Sequence, residues 1–362
     1  MLNARSQLPR TVRTALAGFA LAACAALICG GCAGGAPDGL QSGQDDLSTV
    51  RLRVVEGNLT SGNNQSYEVY GMRIFEGLQP DVALVQECNY LTSSQADMDT
   101  FVHTTFGPGY YYYRETSPAY QIPNCVVSRY PILSSGSYAD PAVANRALAW
   151  AKIQLPNGKN LWAFSLHLLT SSAGNRDTEA KALVADIQRD IPAGDYIVIG
   201  GDFNTGTRTE ACVTDFSAVT VTAAPYPADN DGNENTSQAR SKPHDWVLAS
   251  PSLDALKTAV VVGKSSFANG LVVDTRVYTP LGEIAPAQQG DSGAASMQHM
   301  GVVRDFLLSG AIVVGDGGMS ADGGSDADAG ADAGPMSDGV PPEDPSRHGL
   351  FPASHPDPIS AR

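Results

Sequence analysis

Strand-like and helix-like spacings of apolar residues alternate along the middle of this chain, and polar side chains recur where the strand-like runs stop. The run "RLRVVEGNLT" reads as an extended segment ending at Asn58. Tyr67, Tyr70, Gly71, Ile74 and Leu78 then follow helical spacing, and Gln79-Pro80-Asp81 stops that helix. "VALVQECN" is a short apolar run of buried-strand type ending at Glu87, and "NCVVSRYPIL" predicts another strand. "NRALAWAKIQLPNGKNLWAFSLHLL" is two alternating segments about Pro156-Asn157-Gly158-Lys159, a hairpin whose second strand runs out at His167. Ala180, Leu183, Val184 and Ile187 give a helix stripe before the apolar strand that closes in Gly-Gly-Asp-Phe-Asn. There Asp202 and Asn204 stand two positions apart, on one side of an extended chain. "HDWVLAS", with Asp245, and "MGVVRDFLL", just after His299, predict two more strands. Tyr110 to Tyr113 read as strand packing rather than a base-stacking platform. Many strands with few helices, in the order strand-helix-strand, hairpins, strand-helix-strand, predict two packed sheets with helices outside.

Composition changes the picture at both ends. Residues 1–36 hold Arg5, Arg10 and Arg13, an apolar run from Thr14 to Cys29, and a Gly-rich exit. That order describes an export signal, not a membrane span. Cysteine after small residues also resembles a lipoprotein signal. Leu21-Ala22-Ala23-Cys24 has the better local pattern, but Cys32 sits better after the apolar core and is the expected lipidation site. The chain is therefore expected outside the cytoplasm, as a lipoprotein at the outer surface or in the periplasm, or secreted. Residues 315–362 are Gly, Asp, Ala, Ser and Pro with nine acidic residues against two arginines, too few large apolar groups to offset ordering entropy; disorder is expected there. Between them, residues 48–312 suffice for one large domain. The formal charge of −15 argues against non-specific nucleic-acid binding through a basic patch, but not against turnover of a phosphate substrate held through a metal ion. Three cysteines remain in this region, Cys88, Cys125 and Cys212, enough for one pair and one free thiol, without the spacing of a zinc site.

Any one polar strand end is an ordinary cap or turn former; seven together, Asn58, Glu87, His167, Asp202, Asn204, Asp245 and His299, are not. In this order they resemble the endonuclease/exonuclease/phosphatase superfamily, the deoxyribonuclease-I-like fold. The resemblance rests on Asn58 at the end of the first strand, Gln86-Glu87 at the end of the second and His167-Leu168. It continues through Gly201-Asp202-Phe203-Asn204 and Asp245 in "DWVL" to the closing His299. It covers about Arg51 to Leu308 and implies an α+β fold, a four-layer αββα sandwich of two packed mixed β-sheets flanked by helices.

The resemblance also implies a metal-dependent phosphodiesterase, with a nuclease as the leading reading. A phosphodiester carries negative charge, so attack needs a cation beside the oxygens and a base to activate water. Magnesium takes oxygen ligands and keeps waters, so Glu87 helped by Asn58 is the expected anchor for Mg2+, or for Mn2+ or Ca2+ in its place. His299 is the expected base, oriented by Asp245 through its other ring nitrogen. Asp202 and Asn204 are expected to hold the attacking water and phosphoryl oxygens, and His167 to contact a phosphate oxygen or assist the leaving group. Arg114, Arg129, Arg146 and Arg240 are the cations expected to meet phosphate. A disulfide between Cys88 and Cys125 is expected, since the resemblance places their strands side by side. One departure stands out: the family closes in Ser-Asp-His where this chain has Met297-Gln298-His299, and Gln is a poorer magnesium ligand than a carboxylate. Asp291 is too far along the chain to replace it. The competing readings are a sphingomyelinase-type phospholipase or phosphatase of the same fold, and a cell-surface binding module whose site has lost turnover. The expected partners are a phosphodiester substrate, nucleic acid first, and a membrane reached through a lipidated Cys; the chain is expected to be a monomer.

Overall fold

The alternating runs fold as paired strands. The computed structural model describes residues 49–58, 69–295 and 297–310, all within the unit Met1–Val314. The export segment with Cys32 and the acidic tail lie outside the described residues. In chain order the elements begin with β1 (Thr49–Asn58), α1 (Val69–Leu78), β2 (Val82–Gln86), α2 (Gln95–Thr105), β3 (Tyr111–Arg114) and β4 (Cys125–Ser128). Next come β5 (Ile132–Tyr138), β6 (Leu148–Gln154), β7 (Asn160–His167), α3 (Ala173–Asp190), β8 (Tyr196–Asp202) and α4 (Ala211–Phe216). The last are β9 (Asp245–Ala249), α5 (Pro251–Asp254), β10 (Lys257–Thr258), β11 (Val260–Val262), β12 (Ser265–Phe267), β13 (Leu271–Val273) and β14 (Gly301–Ser309).

Two mixed sheets carry the fold. One has seven strands in the order β10-β14-β1-β2-β4-β3, with β13 also on β14; the other runs β5-β6-β7-β8-β9. Each contains one parallel pair, β1 with β2 and β7 with β8, and in each case one helix, α1 or α3, links the two strands. Side-chain alternation sorts the strands into layers. Leu52 and Val54 of β1, Ala163 of β7 and Val198 of β8 fill the space between the sheets. Val55 packs outward with Phe75 and Leu78 of α1, while Phe164 and Ile199 pack with Leu183 and Ile187 of α3. Three apolar layers between four tiers make an αββα sandwich, the architecture implied above.

The Gly-Gly preceding Asp202 has a packing cause. A Cβ at Gly201, whose φ is +143°, would stand 2.0 Å from the Leu166 carbonyl oxygen, and one at Gly200 would stand 2.6 Å from Leu84 Cδ1 on the opposite sheet. Only Gly lets β8 lie this close to β7 and to the facing sheet.

Cys88 and Cys125 form a disulfide with Cα atoms 5.8 Å apart, tying the turn after β2 to the start of β4. Cys212 is free and buried, and burial pushes its thiol up to about 12, which keeps it unreactive. Closing a loop of 37 residues should contribute ~2–4 kcal/mol by restricting the unfolded chain. Reduction, or Cys125→Ser, is expected to shift the denaturant midpoint accordingly. Coincident unfolding curves for the oxidised and reduced protein would remove the bond from the account of stability.

Candidate active site

The strand ends that the sequence singles out meet at one edge of the sandwich. Register brings them there: Asn58 lies opposite Gln86, the residue before Glu87, and Asp202 lies between His167 on one side and Asp245 on the other. The two parallel pairs end together, and the two antiparallel neighbours β9 and β14 begin there. Side chains at the carboxyl ends of the parallel pairs thus face the starts of their neighbours, the usual place for a ligand in mixed sheets.

Asp202 is the centre of the cluster. Its Oδ2 stands 3.4 Å from Nε2 of His167 and 3.4 Å from Nε2 of His299. Nδ2 of Asn58 donates to Glu87 Oε1 at 3.0 Å and approaches Asp202 Oδ2 at 3.3 Å. Nδ1 of His299 contacts Asp245 Oδ2 at 3.1 Å, and Nδ1 of His167 lies 3.9 Å from Glu87 Oε1. The backbone N–H of Asn204 donates to Asp202 Oδ1 at 2.8 Å, and Nδ2 of Asn204 donates to the Leu168 carbonyl at 3.0 Å. Glu87 and Asn204 both hold positive φ, near +54° and +53°. This conformation is costly for a side chain such as Glu and is kept where surrounding structure enforces it.

Charge in the cluster is unbalanced. Burial alone would strip the proton from His299, but the carboxylates of Asp202, Asp245 and Glu87 outweigh it and push the imidazolium up to about 10. Burial, then the Arg146 and His299 charges, hold His167 well below the usual histidine range. Burial pushes Asp202 up, with the His299 charge opposing it. Burial, with Asp245 and Asp202 beside it, also drives Glu56 well above the carboxylate range, against the opposing pull of the Val302 backbone. One imidazolium faces Glu87, Asp202 and Asp245 in a pocket largely shut to water. A cation fits that surplus of negative charge. Oxygen donors are also available: the buried Oδ1 of Asn58 has no hydrogen-bond partner among the described residues, and the Glu87 carboxylate lies next to it. These donors suit a hard divalent ion.

Four expected phosphate contacts fare differently. Arg114 reaches this edge, where its Nε donates to the Cys88 carbonyl at 2.6 Å and its Nη2 to Asn89 Oδ1 at 2.6 Å, bracing the turn that carries Glu87. The other three expectations are corrected. Arg129 follows β4 at its far end, where Ser128 pairs with Val82, and its Nε pairs with Asp81 Oδ1 at 3.2 Å; it faces the opposite edge of the sheet. Arg146 is buried, and its guanidinium donates to the His167 and Leu168 carbonyls. It holds the end of β7 rather than substrate. Arg240 is spent on Asp229 and Asp274, clamping the loop before β9. Asp291 pairs with Arg73 of α1, in keeping with its exclusion from the cluster, and Gln298 is exposed.

Sequence reasoning passed over two residues. Glu56 is fully buried behind Asp202 and Asp245; it stands two positions before Asn58 and so on the same side of β1, a signal that was legible. His244 is the second, with its ring centroid 5.6 Å from that of His299.

A sequence model of the Endonuclease/Exonuclease/phosphatase family matches residues 69–267. No curated protein matches the chain. Similar solved structures include an endonuclease/exonuclease/phosphatase from Bacteroides vulgatus at 16% identity, covering 72% of this chain and 99% of that one with a TM-score of 0.49. A mannosyl-6-phosphatase from Bacteroides thetaiotaomicron is similar at 15% identity, over 71% of this chain and 99% of that one, with a TM-score of 0.49. TDP2 from D. rerio, complexed with a single-strand DNA product, is similar at 15% identity, over 71% and 98%, with a TM-score of 0.47.

Proposed function

Because this chain belongs to the endonuclease/exonuclease/phosphatase family, whose members are phosphoric ester hydrolases, we propose that it is an exported, magnesium-dependent phosphodiesterase acting on nucleic acid. The observation that carries the reading is the placing of Asp202 Oδ2 at 3.4 Å from both His167 and His299, with Glu87 and Asn58 on its other side. Glu87 and Asn58 would hold the cation, which when bound supplies positive charge beside the phosphoryl oxygens. Asp245 fixes the ring of His299 through Nδ1; a cation at Glu87 would offset the carboxylate charge that keeps this ring protonated, freeing Nε2, pointed into the cluster, to take the proton of the attacking water. Asp202 and Asn204 orient that water. His167, kept neutral by burial and held by Arg146 at its own carbonyl, meets the leaving side of the phosphate.

Nucleic acid is favoured by a groove of about 370 Å³ between the start of α2 and the end of β3. Tyr112, Tyr113 and Arg114 line it, and Arg114 connects it to the turn after Glu87. Although the sequence reads Tyr110 to Tyr113 as strand packing, half-buried Tyr112 and Tyr113 beside a guanidinium suit a nucleobase. Export is favoured by the Cys88–Cys125 disulfide, since such bonds persist in oxidising compartments.

The test offers the purified protein plasmid DNA, RNA, sphingomyelin vesicles and inositol phosphates, with magnesium or with chelator. Magnesium-dependent nicking of DNA or cleavage of RNA is expected. Turnover of sphingomyelin or inositol phosphates alone would move the assignment to a phospholipase or phosphatase, and no turnover of any of them would leave a binding module.

A further inference from the structure

We propose that Asp202, His244 and His299 form a second cation site that takes Zn2+ or Co2+ in preference to Mg2+, and that filling it switches off the proton acceptor of the main reaction. One potential ligand atom from each of the three lies within 4.8 Å of the other two. A metal with bonds of ~2.0–2.2 Å spans donors up to about twice that apart, so small side-chain rotations bring all three into one shell. The donors differ in kind from those near Glu87. Two imidazoles and one carboxylate suit zinc or cobalt, whereas magnesium seeks oxygen and keeps its water.

His244 has no part in the phosphodiester mechanism, yet it is firmly placed. Its carbonyl accepts the Phe203 N–H at 2.7 Å, which fixes it over the turn between Asp202 and Asn204. Its Nδ1 is a buried ring nitrogen with no hydrogen-bond partner among the described residues. Burial holds the ring below the usual histidine range, with its lone pair free. His299 is already oriented for a metal: with Nδ1 on Asp245 at 3.1 Å, its Nε2 faces Asp202 Oδ2 at 3.4 Å, the carboxylate–imidazole arrangement that orients metal-bound histidines. A metal on Nε2 displaces the proton held there and occupies the lone pair that would otherwise accept the water's proton. Zinc therefore competes with catalysis at the base and not at Glu87.

The inhibitory half of this inference rests on His299 being the base; the binding half does not. The experiment titrates the full chain with Co2+ and reads its visible absorption, then adds Zn2+ or excess Mg2+. One equivalent of Co2+ should give a strong low-coordinate band that Zn2+ removes and Mg2+ does not. His244→Ala should weaken Co2+ binding by at least ~10–100-fold, the cost of losing even a residue that only hydrogen-bonds a ligand. His244→Cys should add a sulfur-to-cobalt charge-transfer band, direct proof that position 244 is a ligand. Each variant's zinc inhibition of magnesium-dependent turnover is then compared with its own uninhibited rate, and His244→Ala should need correspondingly more zinc. Equal Co2+ affinity in wild type and His244→Ala, or no new band in His244→Cys, overturns the site. Turnover that Co2+ and Zn2+ stimulate, or leave unchanged, overturns the inhibitory role. If no phosphoester is cleaved at all, the functional reading fails while the absorption titration still decides the metal site.

Discussion

Glu87→Gln is expected to lower turnover by about 10²–10³-fold and to weaken magnesium binding in parallel. The substitution is nearly isosteric and keeps an oxygen for Nδ2 of Asn58, which now donates to Oε1 at 3.0 Å. The strained turn braced by Arg114 and the disulfide should therefore survive. What disappears is the charge. Glu87 and Asn58 offer the oxygen donors nearest the phosphoryl position, and an amide holds a divalent ion far less firmly than a carboxylate. Loss of one preorganised electrostatic contact to the transition state typically costs ~2.7–4 kcal/mol, which corresponds to the stated fold-change. Steady-state rates over a magnesium titration, with calorimetry for the ion itself, separate weakened binding from lost chemistry. Undiminished activity in the variant, or in wild type with excess chelator, would take the metal out of the mechanism.

The strands that carry this site were legible because their apolar runs are unbroken and their ends are polar. β1, β2, β7, β8 and β9 each stop or start where the sequence places Asn58, Glu87, His167, Asp202 and Asp245. Helix α2 was not read: "QADMDTFVHTT" buries only Met98, Phe101, Val102 and Thr105, too weak a stripe to stand out. Its one clear signal is Ser94, whose side chain caps Asp97 N–H. The two- and three-residue strands between Lys257 and Val273 are set by neighbours, not by any local period. The arginines show where sequence reading ends. Their charge is evident, but their partners, Asp81 for Arg129 and Asp229 and Asp274 for Arg240, lie 11 to 48 positions away, and pattern alone cannot pair them. His244 was passed over for a different reason. Alternation puts neighbours on opposite sides of a strand, so a residue next to Asp245 should face away; but β9 begins only at Asp245, and the chain is still turning at 244.

His299→Ala should act quite differently from Glu87→Gln, and a second variant at the neighbouring position makes the difference readable. Removing the base is expected to lower turnover by ~10²–10⁴-fold at every magnesium concentration, because added metal cannot accept the proton. Gln298→Asp tests metal holding instead. Gln298 is exposed, and its carbonyl accepts the Gln238 N–H at 2.8 Å, which fixes the backbone just ahead of His299. A carboxylate here adds negative charge one residue from His299 without removing any contact of the cluster. At an exposed position such a charge contributes ~0.2–1 kcal/mol, so magnesium should bind more tightly by no more than about 5-fold. Turnover should rise at limiting magnesium and converge with wild type at saturation. Magnesium titrations of the two variants thus give opposite signatures: a curve lowered throughout for His299→Ala, and a curve shifted to lower concentration for Gln298→Asp. An unshifted curve for Gln298→Asp would mean that position 298 does not face the metal. Near-full activity in His299→Ala would transfer the base to His167, the other imidazole at 3.4 Å from Asp202.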